Sequence, residues 1–172
     1  MFKLTFNRVR PQKNAPTSQI PDASEILQTR IAAIRGQAAA HYPAKEIEGW
    51  CSSRTAETYH PAIELQTVLV EEINESIIAF GQLNPETAFI EAVYVSPSHS
   101  RQGVGLKILR ALEAMAAVSG IKALTLEASF NAVEFYHRAG YVPVAEEEHL
   151  SDAKTSSVTL RMRSDIRAHA AI

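Results

Sequence analysis

Two short segments of this chain contain residue types that could bind an anion and move a proton. The first, VYVSPSHSRQGVG at residues 93–105, runs from a valine-rich strand through a basic turn into a helix. Free N–H groups and the dipole at a helix start favour a phosphate, and Gly103 and Gly105 would let the backbone approach it without a Cβ in the way. The segment predicts a phosphate-binding turn, although glycines there also occur as plain turn residues.

The second segment, NAVEFYHRAGY at residues 131–141, contains a phenol beside an amide. The Tyr136 phenol, with a pKa of about 10, stays protonated at neutral pH and could donate a proton to a leaving group. The alternative is a core aromatic residue that packs with Phe135. Asn131 has a side chain suited to capping the short predicted helix.

Glu91 lies in the apolar strand before the turn, and alternation predicts that it shares a face with Val93 and Val95. Burial there would raise the pKa of its carboxyl group, and the carboxylate could then take a proton from an ammonium group. Alternatively, Glu91 faces a solvated gap or pairs with a basic residue. Tyr42 and Trp50, near a predicted helix junction, are either core residues or walls of a pocket.

Hydrophobic spacing predicts the elements that must position these residues. The predicted ranges are a strand at 4–9, helices at 22–40 and 43–58, strands at 63–70, 76–83 and 87–95, a helix at 104–118, a strand at 123–127, a helix at 131–138, and two paired strands that open at 141 and 156. This order predicts an α/β fold with one mixed sheet flanked by helices. We expect a single domain over 1–172, with a mobile lead-in within 1–21 and a flexible tail at 164–172.

Composition excludes several classes of partner. The 172 residues have a net charge of −2, from 17 basic and 19 acidic residues spread along the chain. No broad basic face for nucleic acid, no polybasic membrane anchor and no basic patch for an acidic substrate is evident. Cys51 is the only cysteine, so an internal disulfide is excluded. No histidine spacing suggests a metal site, and we expect a cytoplasmic protein.

Together the two segments resemble the signatures of the GCN5-related N-acetyltransferase (GNAT) superfamily. The first is similar to that family's acetyl-CoA motif, in which a valine-rich strand leads into a turn of the form Q/R-x-x-G-x-G/A and then a helix. The second is similar to its asparagine, Phe-Tyr pair, basic residue and Gly-Tyr or Gly-Phe. The resemblance covers roughly residues 63–163. Ser100 departs from the family's Gln or Arg, and Arg101 could supply the charge from the next position.

The resemblance implies a sheet splayed between the fourth and fifth strands, where the pantetheine arm of acetyl-CoA pairs with the backbone of Val93 and Val95. An N–H group near Val95 would polarise the thioester carbonyl, and Asn131 would contact the arm. The N–H groups that would hold the pyrophosphate belong to Arg101, Gln102, Gly103, Val104, Gly105 and Leu106.

The function that the resemblance implies is acetyl transfer from acetyl-CoA to an amine of a small molecule, peptide or protein, directly within a ternary complex. Tyr136 would be the acid and Glu91 a candidate base, and the first two helices with Tyr42 and Trp50 would recognise the acceptor. The alternative is a non-catalytic acyl-CoA sensor on the same fold. A nucleotide-binding P-loop is disfavoured, because no lysine and hydroxyl residue follow the glycines. A homodimer is compatible with the sequence.

Overall fold

A computed structural model describes residues 3–6, 21–144 and 159–166. Its centre is a seven-stranded sheet of order β1-β2-β3-β4-β5-β7-β6. The strands are β1 Lys3–Phe6, β2 Val68–Ile73, β3 Ser76–Asn84, β4 Phe89–Val95, β5 Ala123–Ser129, β6 Val142–Pro143 and β7 Thr159–Asp165. Residues 7–20, which include most of the predicted lead-in, and residues 167–172, the end of the predicted tail, lie outside the described residues.

The helices flank the sheet on both faces. They are α1 Pro21–Ala33, which continues as a π-helical segment at Ile34–Ala38, then α2 Ala44–Ser52, α3 His60–Glu64, α4 Val104–Val118 and α5 Phe130–Arg138. Short 3₁₀ turns lie at Ala56–Tyr59 and Pro97–His99. The predicted α/β fold is therefore confirmed.

The predicted second helix, 43–58, is wrong at its end. The helix stops at Ser52, where the hydroxyl groups of Ser52 and Ser53 donate to the carbonyl oxygens of Glu48 and Trp50, both at 2.8 Å. Such local hydrogen bonds compete with the helical ladder. The strand predicted from residue 63 is also wrong at its start, because the helix α3 occupies His60–Glu64, with Pro61 in its first turn, and β2 starts only at Val68.

The strands β4 and β5 are the parallel pair of this sheet, and they pair only briefly. Phe89 is opposite Thr125 and Ile90 is opposite Leu126, after which β4 continues to Val95 without a β5 partner. All other neighbouring strands are antiparallel. The expected splay between the fourth and fifth strands is therefore confirmed, and it opens a gap that points towards the start of α4.

The two faces of the sheet have separate cores. Under α4, Ile108 and Leu112 are fully buried, and a Cβ added to Gly81 of β3 would lie 2.5 Å from Ile108, so glycine is needed for this close packing. On the other face, α1 packs through Ile26 onto Phe80. Burial of each such side chain stabilises the folded chain by about 1.5–3 kcal/mol. These contacts together fix the two sides of the gap.

Candidate active site

The edge of β4 that faces the gap exposes backbone hydrogen-bonding groups. The N–H of Ser96 donates to the carbonyl of Ile78 on β3 at 2.7 Å. Because pairing alternates along an antiparallel ladder, Val93 and Val95 direct their N–H and C=O groups away from β3 and into the gap. The side-chain amide of Gln37 donates to the Val95 carbonyl from that side at 2.7 Å. The structure therefore places both valines where the sequence predicted them.

A β-bulge interrupts β4 before these valines. Gln82 of β3 is opposite Ala92, but the next residue, Leu83, is opposite Ile90. Glu91 is the extra residue, and a bulge of this kind redirects side chains that strict alternation would place on one face.

The bulge moves Glu91 away from the face that the sequence predicted. Val93 and Val95 pack against the core beneath α4. The carboxylate of Glu91 instead accepts a hydrogen bond from Gln82, which lies two residues after Phe80 and so on the α1 face of β3. The prediction that Glu91 shares a face with these valines is therefore wrong.

Glu91 is also not buried, which corrects the expectation of burial in an apolar strand. Its side chain is 28% exposed and 3.9 Å from the guanidinium of Arg54. The side-chain amides of Gln82 and Asn84 donate to its two oxygens, each at 3.3 Å. Of the two alternatives for Glu91, the structure supports a solvated gap with a basic partner.

A cleft of about 380 Å³ occupies the gap between β4 and β5. One wall comes from α1, the π-helical segment and α2, the floor from β4, and the other wall from the start of α5. The lining residues that bear on function are Arg30, Gln37, Trp50, Arg54, Glu91, Val93, Tyr94, Asn131 and Tyr136. The cleft therefore brings together the two predicted catalytic residues, one of the edge valines, Asn131 and Trp50.

The phenol of Tyr136 lies in the α5 wall of the cleft and is 7% exposed. Its ring contacts those of Phe135 and Tyr141 edge to face, with centroids 4.9 and 5.8 Å away. Burial, reinforced by the nearby Tyr94, raises the pKa of Tyr136 well above its usual value. The hydroxyl group is therefore protonated throughout the physiological pH range.

Asn131 does not cap α5. The N-cap position belongs to Ser129, and Asn131 lies inside the first turn, so the capping prediction is wrong. Its Oδ1 atom is buried and has no hydrogen-bond partner among the residues that the structure describes. A buried acceptor without a partner lowers the stability of the fold. Asn131 lines the cleft, so this atom is suited to the other role expected for Asn131, contact with a ligand.

The predicted phosphate turn ends at the N-terminus of α4. Gly103 has φ +82° and precedes the helix, and the first N–H that bonds back to it is that of Lys107, at 3.0 Å. The N–H groups of Val104, Gly105 and Leu106 come before that bond and have no acceptor within the helix. Such donors can hydrogen-bond an anion, and the predicted phosphate site stays a prediction.

The side chains of the turn have separate tasks. The amide of Gln102 donates to the carbonyl of Ser98 at 3.1 Å, and the hydroxyl of Ser100 donates to the carbonyl of Pro97 at 2.9 Å. Both side chains thus stabilise the loop itself. Arg101 is exposed and has φ +59°, so its cation is available beside the free N–H groups.

Only one of the two glycines faces open space. A Cβ added to Gly103 would meet no described atom within 4 Å, whereas one added to Gly105 would lie 3.5 Å from both Phe135 and Val95. The missing Cβ of Gly105 therefore points towards α5 and β4. Close approach of the backbone to a phosphate at Gly103 and Gly105 stays a prediction.

The two predicted pocket aromatics differ in position. Tyr42 is 7% exposed and lies in a core cluster, where its ring meets that of Trp50 edge to face at 4.6 Å. Its phenol oxygen accepts a hydrogen bond from the N–H of Phe130 at 2.7 Å. Trp50 lines the cleft, so the structure places Trp50, and not Tyr42, on the wall.

Sequence reasoning missed two arginines of the cleft. The guanidinium of buried Arg30 donates to the carbonyl of Trp50 at 2.6 Å and to the hydroxyl of Ser53 at 3.2 Å, and it lies 5.7 Å from the ring centre of Tyr94. Arg54 lies beside Glu91. A single basic residue in a helix or a loop has no recognisable motif, so only tertiary packing reveals that these two arginines line one cleft.

Two further properties concern the described part of the chain. None of its helices has the length and apolar character needed to cross a membrane. Its His, Cys, Asp and Glu side chains nowhere form a group of three or more that could hold a metal ion.

Comparisons with known proteins agree with this geometry. The sequence profile of a protein family, described as an acetyltransferase (GNAT) domain, matches residues 38–163. An uncharacterised N-acetyltransferase of Bacillus subtilis strain 168, YjcF, is 41% identical over 61 residues. That match covers 36% of this chain and 44% of YjcF, less than half of its length.

Solved structures share the fold. A GCN5-related N-acetyltransferase from Rhodopseudomonas palustris is 25% identical, with a TM-score of 0.73 over 84% of this chain and 89% of that one. The PaiA N-acetyltransferase of Thermoplasma acidophilum, solved with coenzyme A, is 17% identical, with a TM-score of 0.71 over 84% and 92%. YncA of Salmonella typhimurium, a putative acetyltransferase solved with acetyl-CoA, is 18% identical, with a TM-score of 0.66 over 100% and 98%. The chain belongs to the GNAT acetyltransferase family.

Proposed function

We propose that this chain is an N-acetyltransferase that moves the acetyl group of acetyl-CoA directly to an amine within a ternary complex. The observation that carries the proposal is the gap between β4 and β5. It places a free strand edge between a helix N-terminus that can hold phosphate and a buried phenol that can serve a leaving group. Two of the structural neighbours were solved with coenzyme A or acetyl-CoA, which supports the proposed cofactor.

Acetyl-CoA would bind along this edge as an added strand. Its pyrophosphate would accept hydrogen bonds from the N–H groups at the start of α4, with Arg101 nearby as a cation. Its pantetheine arm would run along Val95 and then Val93 towards the point where the strands meet. The Val95 carbonyl has two lone pairs, so it can accept from the arm while it keeps the bond from Gln37. The Oδ1 atom of Asn131, which has no hydrogen-bond partner among the described residues, would accept from an amide of the arm.

The thioester then lies beside the N–H of Val93, which is nearer than Val95 to the closed end of the gap. This fixed donor would stabilise the negative charge that develops on the carbonyl oxygen. The sequence suggested a donor near Val95. The direction of the arm favours Val93.

In the chemical step, the ammonium group of the acceptor loses one proton, its nitrogen bonds to the thioester carbon, the carbon–sulfur bond breaks, and the nitrogen loses a second proton as the amide forms. The sulfur gains one proton, so the reaction releases one proton to solvent. The Tyr136 hydroxyl would donate a hydrogen bond to the sulfur as the carbon–sulfur bond breaks. The pKa of the Tyr136 phenol lies above that of a thiol, about 8.5, so complete transfer of the phenol proton to the sulfur is unfavourable. The main contribution of Tyr136 is therefore a hydrogen bond to the developing thiolate. Glu91 would attract the ammonium group and pass its proton to water.

One pair of measurements on the full chain tests the proposal. Calorimetry with acetyl-CoA and coenzyme A should show binding of both, and an assay of released thiol over a panel of amines and peptides should show turnover that depends on both substrates. Binding without turnover on any acceptor would support the acyl-CoA sensor instead. Failure to bind either compound would contradict both functions.

A further inference from the structure

The opposite charges of Arg54 and Glu91 lie side by side on the cleft without closing into a tight ion pair. Their nearest nitrogen and oxygen are 3.9 Å apart, and their side chains are 35% and 28% exposed. Charge-assisted hydrogen bonds are usually about 2.7–2.9 Å long. The other described arginine–carboxylate pairs meet that expectation more closely, with distances of 2.7, 2.8, 3.0 and 3.0 Å. Both groups at this site therefore keep hydrogen-bonding capacity for a ligand.

Arg54 is held at this position by a buried neighbour. Arg30, which is 6% exposed, donates to the carbonyl of Trp50 and the hydroxyl of Ser53. These two residues lie just before Arg54 in the chain, so Arg30 fixes the end of α2 against the cleft. The guanidinium of Arg54 is thus presented from an anchored segment, and a site of this kind favours specific recognition.

Glu91 is equally well placed with respect to the proposed chemistry. It occupies the bulge of β4, two residues before Val93, whose N–H faces the gap. A ligand that spans Glu91 and Arg54 therefore lies at the end of the edge where the thioester would be. Its group nearer to Glu91 would be cationic and its group nearer to Arg54 anionic.

We propose that the acceptor is a free α-amino acid, whose ammonium group faces Glu91 and whose carboxylate faces Arg54. In such a molecule the two charged groups are attached to one carbon atom, which suits a recognition pair whose own charges are 3.9 Å apart. The ring of Trp50 provides an apolar wall for the side chain. This inference rests on the proposed acetyltransferase function and names its substrate class.

The decisive experiment compares each of the twenty common amino acids with its own carboxamide as acceptor, at fixed acetyl-CoA. The amide keeps the amine and the side chain but loses the negative charge. We expect kcat/KM for the preferred amino acid to exceed that of its amide at least tenfold. Equal or greater activity on amides or on peptides would overturn the proposal and leave the acetyltransferase function intact. Binding of acetyl-CoA with no amino acid acetylated would also overturn it.

Variants of Arg54 distinguish a loss of carboxylate recognition from a general loss of structure. Arg54→Gln should raise KM for the amino acid about tenfold or more and so lower the ratio of kcat/KM between amino acid and amide, and Arg54→Lys should restore part of the affinity. The matched control is Arg35→Gln, because Arg35 forms an exposed pair with Glu48 and does not line the cleft. An Arg54→Gln enzyme with an unchanged ratio of amino acid to amide would contradict the proposed contact, whatever its stability.

Discussion

The phenol oxygen of Tyr42 accepts a 2.7 Å hydrogen bond from the backbone N–H of Phe130, a residue 88 positions later in the chain. This N–H begins α5, and Ser129 at the N-cap gives no side-chain hydrogen bond. The bond therefore joins the core cluster around the end of α1 and α2 to the first turn of α5. That turn also carries Asn131, so Tyr42 helps to fix the cleft without lining it.

Replacement of Tyr42 by Phe should lower the free energy of unfolding by about 1–2 kcal/mol, because it leaves a helix N–H without its acceptor. Denaturant unfolding measures the change. The matched control is Tyr59→Phe, since the hydroxyl group of Tyr59 is buried without a hydrogen-bond partner among the described residues. Its removal should be neutral or stabilising. Equal losses in the two variants would show that the bond to Phe130 contributes nothing particular.

Replacement of Val93 by Pro should abolish most acetyl transfer, because proline removes the N–H that we place beside the thioester oxygen. Val93 directs this N–H away from β3, so the substitution spares the ladder with that strand. Loss of one donor of this kind costs about 10²–10³ in kcat. Val93→Ala keeps the N–H and should retain turnover. If the proline variant is folded by circular dichroism and remains as active as the alanine variant, Val93 is not the donor.

Replacement of Asn131 by Ala should weaken acetyl-CoA binding about 5–30-fold, which corresponds to a lost hydrogen bond of about 1–2 kcal/mol. The free protein should not lose stability, because the Oδ1 atom has no partner among the described residues. Calorimetry and thermal unfolding of the same samples give both numbers. A loss of stability with unchanged affinity would mean that Asn131 serves the fold and not the ligand.

Replacement of Tyr136 by Phe should lower kcat about 10²-fold or more and leave the Kd of acetyl-CoA nearly unchanged. The phenol is proposed to interact with the sulfur as it departs, which is a late event. Tyr141→Phe is the control, because the Tyr141 hydroxyl donates to Glu113 in the core and does not line the cleft. Full turnover of Tyr136→Phe, with chemistry shown to limit the rate by burst kinetics, would rule out this role.

The sequence predicts the helices and strands whose position depends on local hydrophobic spacing alone. The helix α4 runs from Val104 to Val118 as hydrophobic spacing indicates, because Gly103 ends the preceding turn and the apolar face repeats without interruption. The strand β5 and the helix α5 follow for the same reason. Both are short, regular segments whose periodicity is not disturbed by a distant partner.

The positions that the sequence misplaced depend on distant partners. Glu91 lies on the face opposite to Val93 and Val95 because pairing between β3 and β4 creates the bulge. The residue types at 89–95 do not indicate a bulge. Arg54, in the loop after α2, meets Glu91 of β4 only in the folded chain. The bond between Tyr42 and Phe130 is of the same kind. Local spacing therefore predicts the cofactor side of the cleft better than its acceptor side.

Stability should fall steeply at alkaline pH. Burial raises the pKa values of Tyr59, Tyr136 and Tyr141, and the nearby Glu113 raises that of Tyr141 further. In the unfolded chain each phenol has a pKa of about 10. Above that pH the unfolded chain releases protons that the folded chain keeps, so unfolding becomes easier by about 1.4 kcal/mol per pH unit for each of Tyr136 and Tyr141, whose pKa values are raised most. Below about pH 10 the contribution of these protonated tyrosines to the free energy of unfolding is fully present.

Urea unfolding at a series of pH values between about 8.5 and 11.5 measures this slope. Tyr141→Phe should reduce it by about one proton, because the variant has one phenol fewer to titrate in the unfolded chain. Its stability near neutral pH changes separately, through the lost bond to Glu113. A slope that is the same in the wild-type and variant proteins would show that Tyr141 ionises as readily in the folded chain as in the unfolded one, despite its burial.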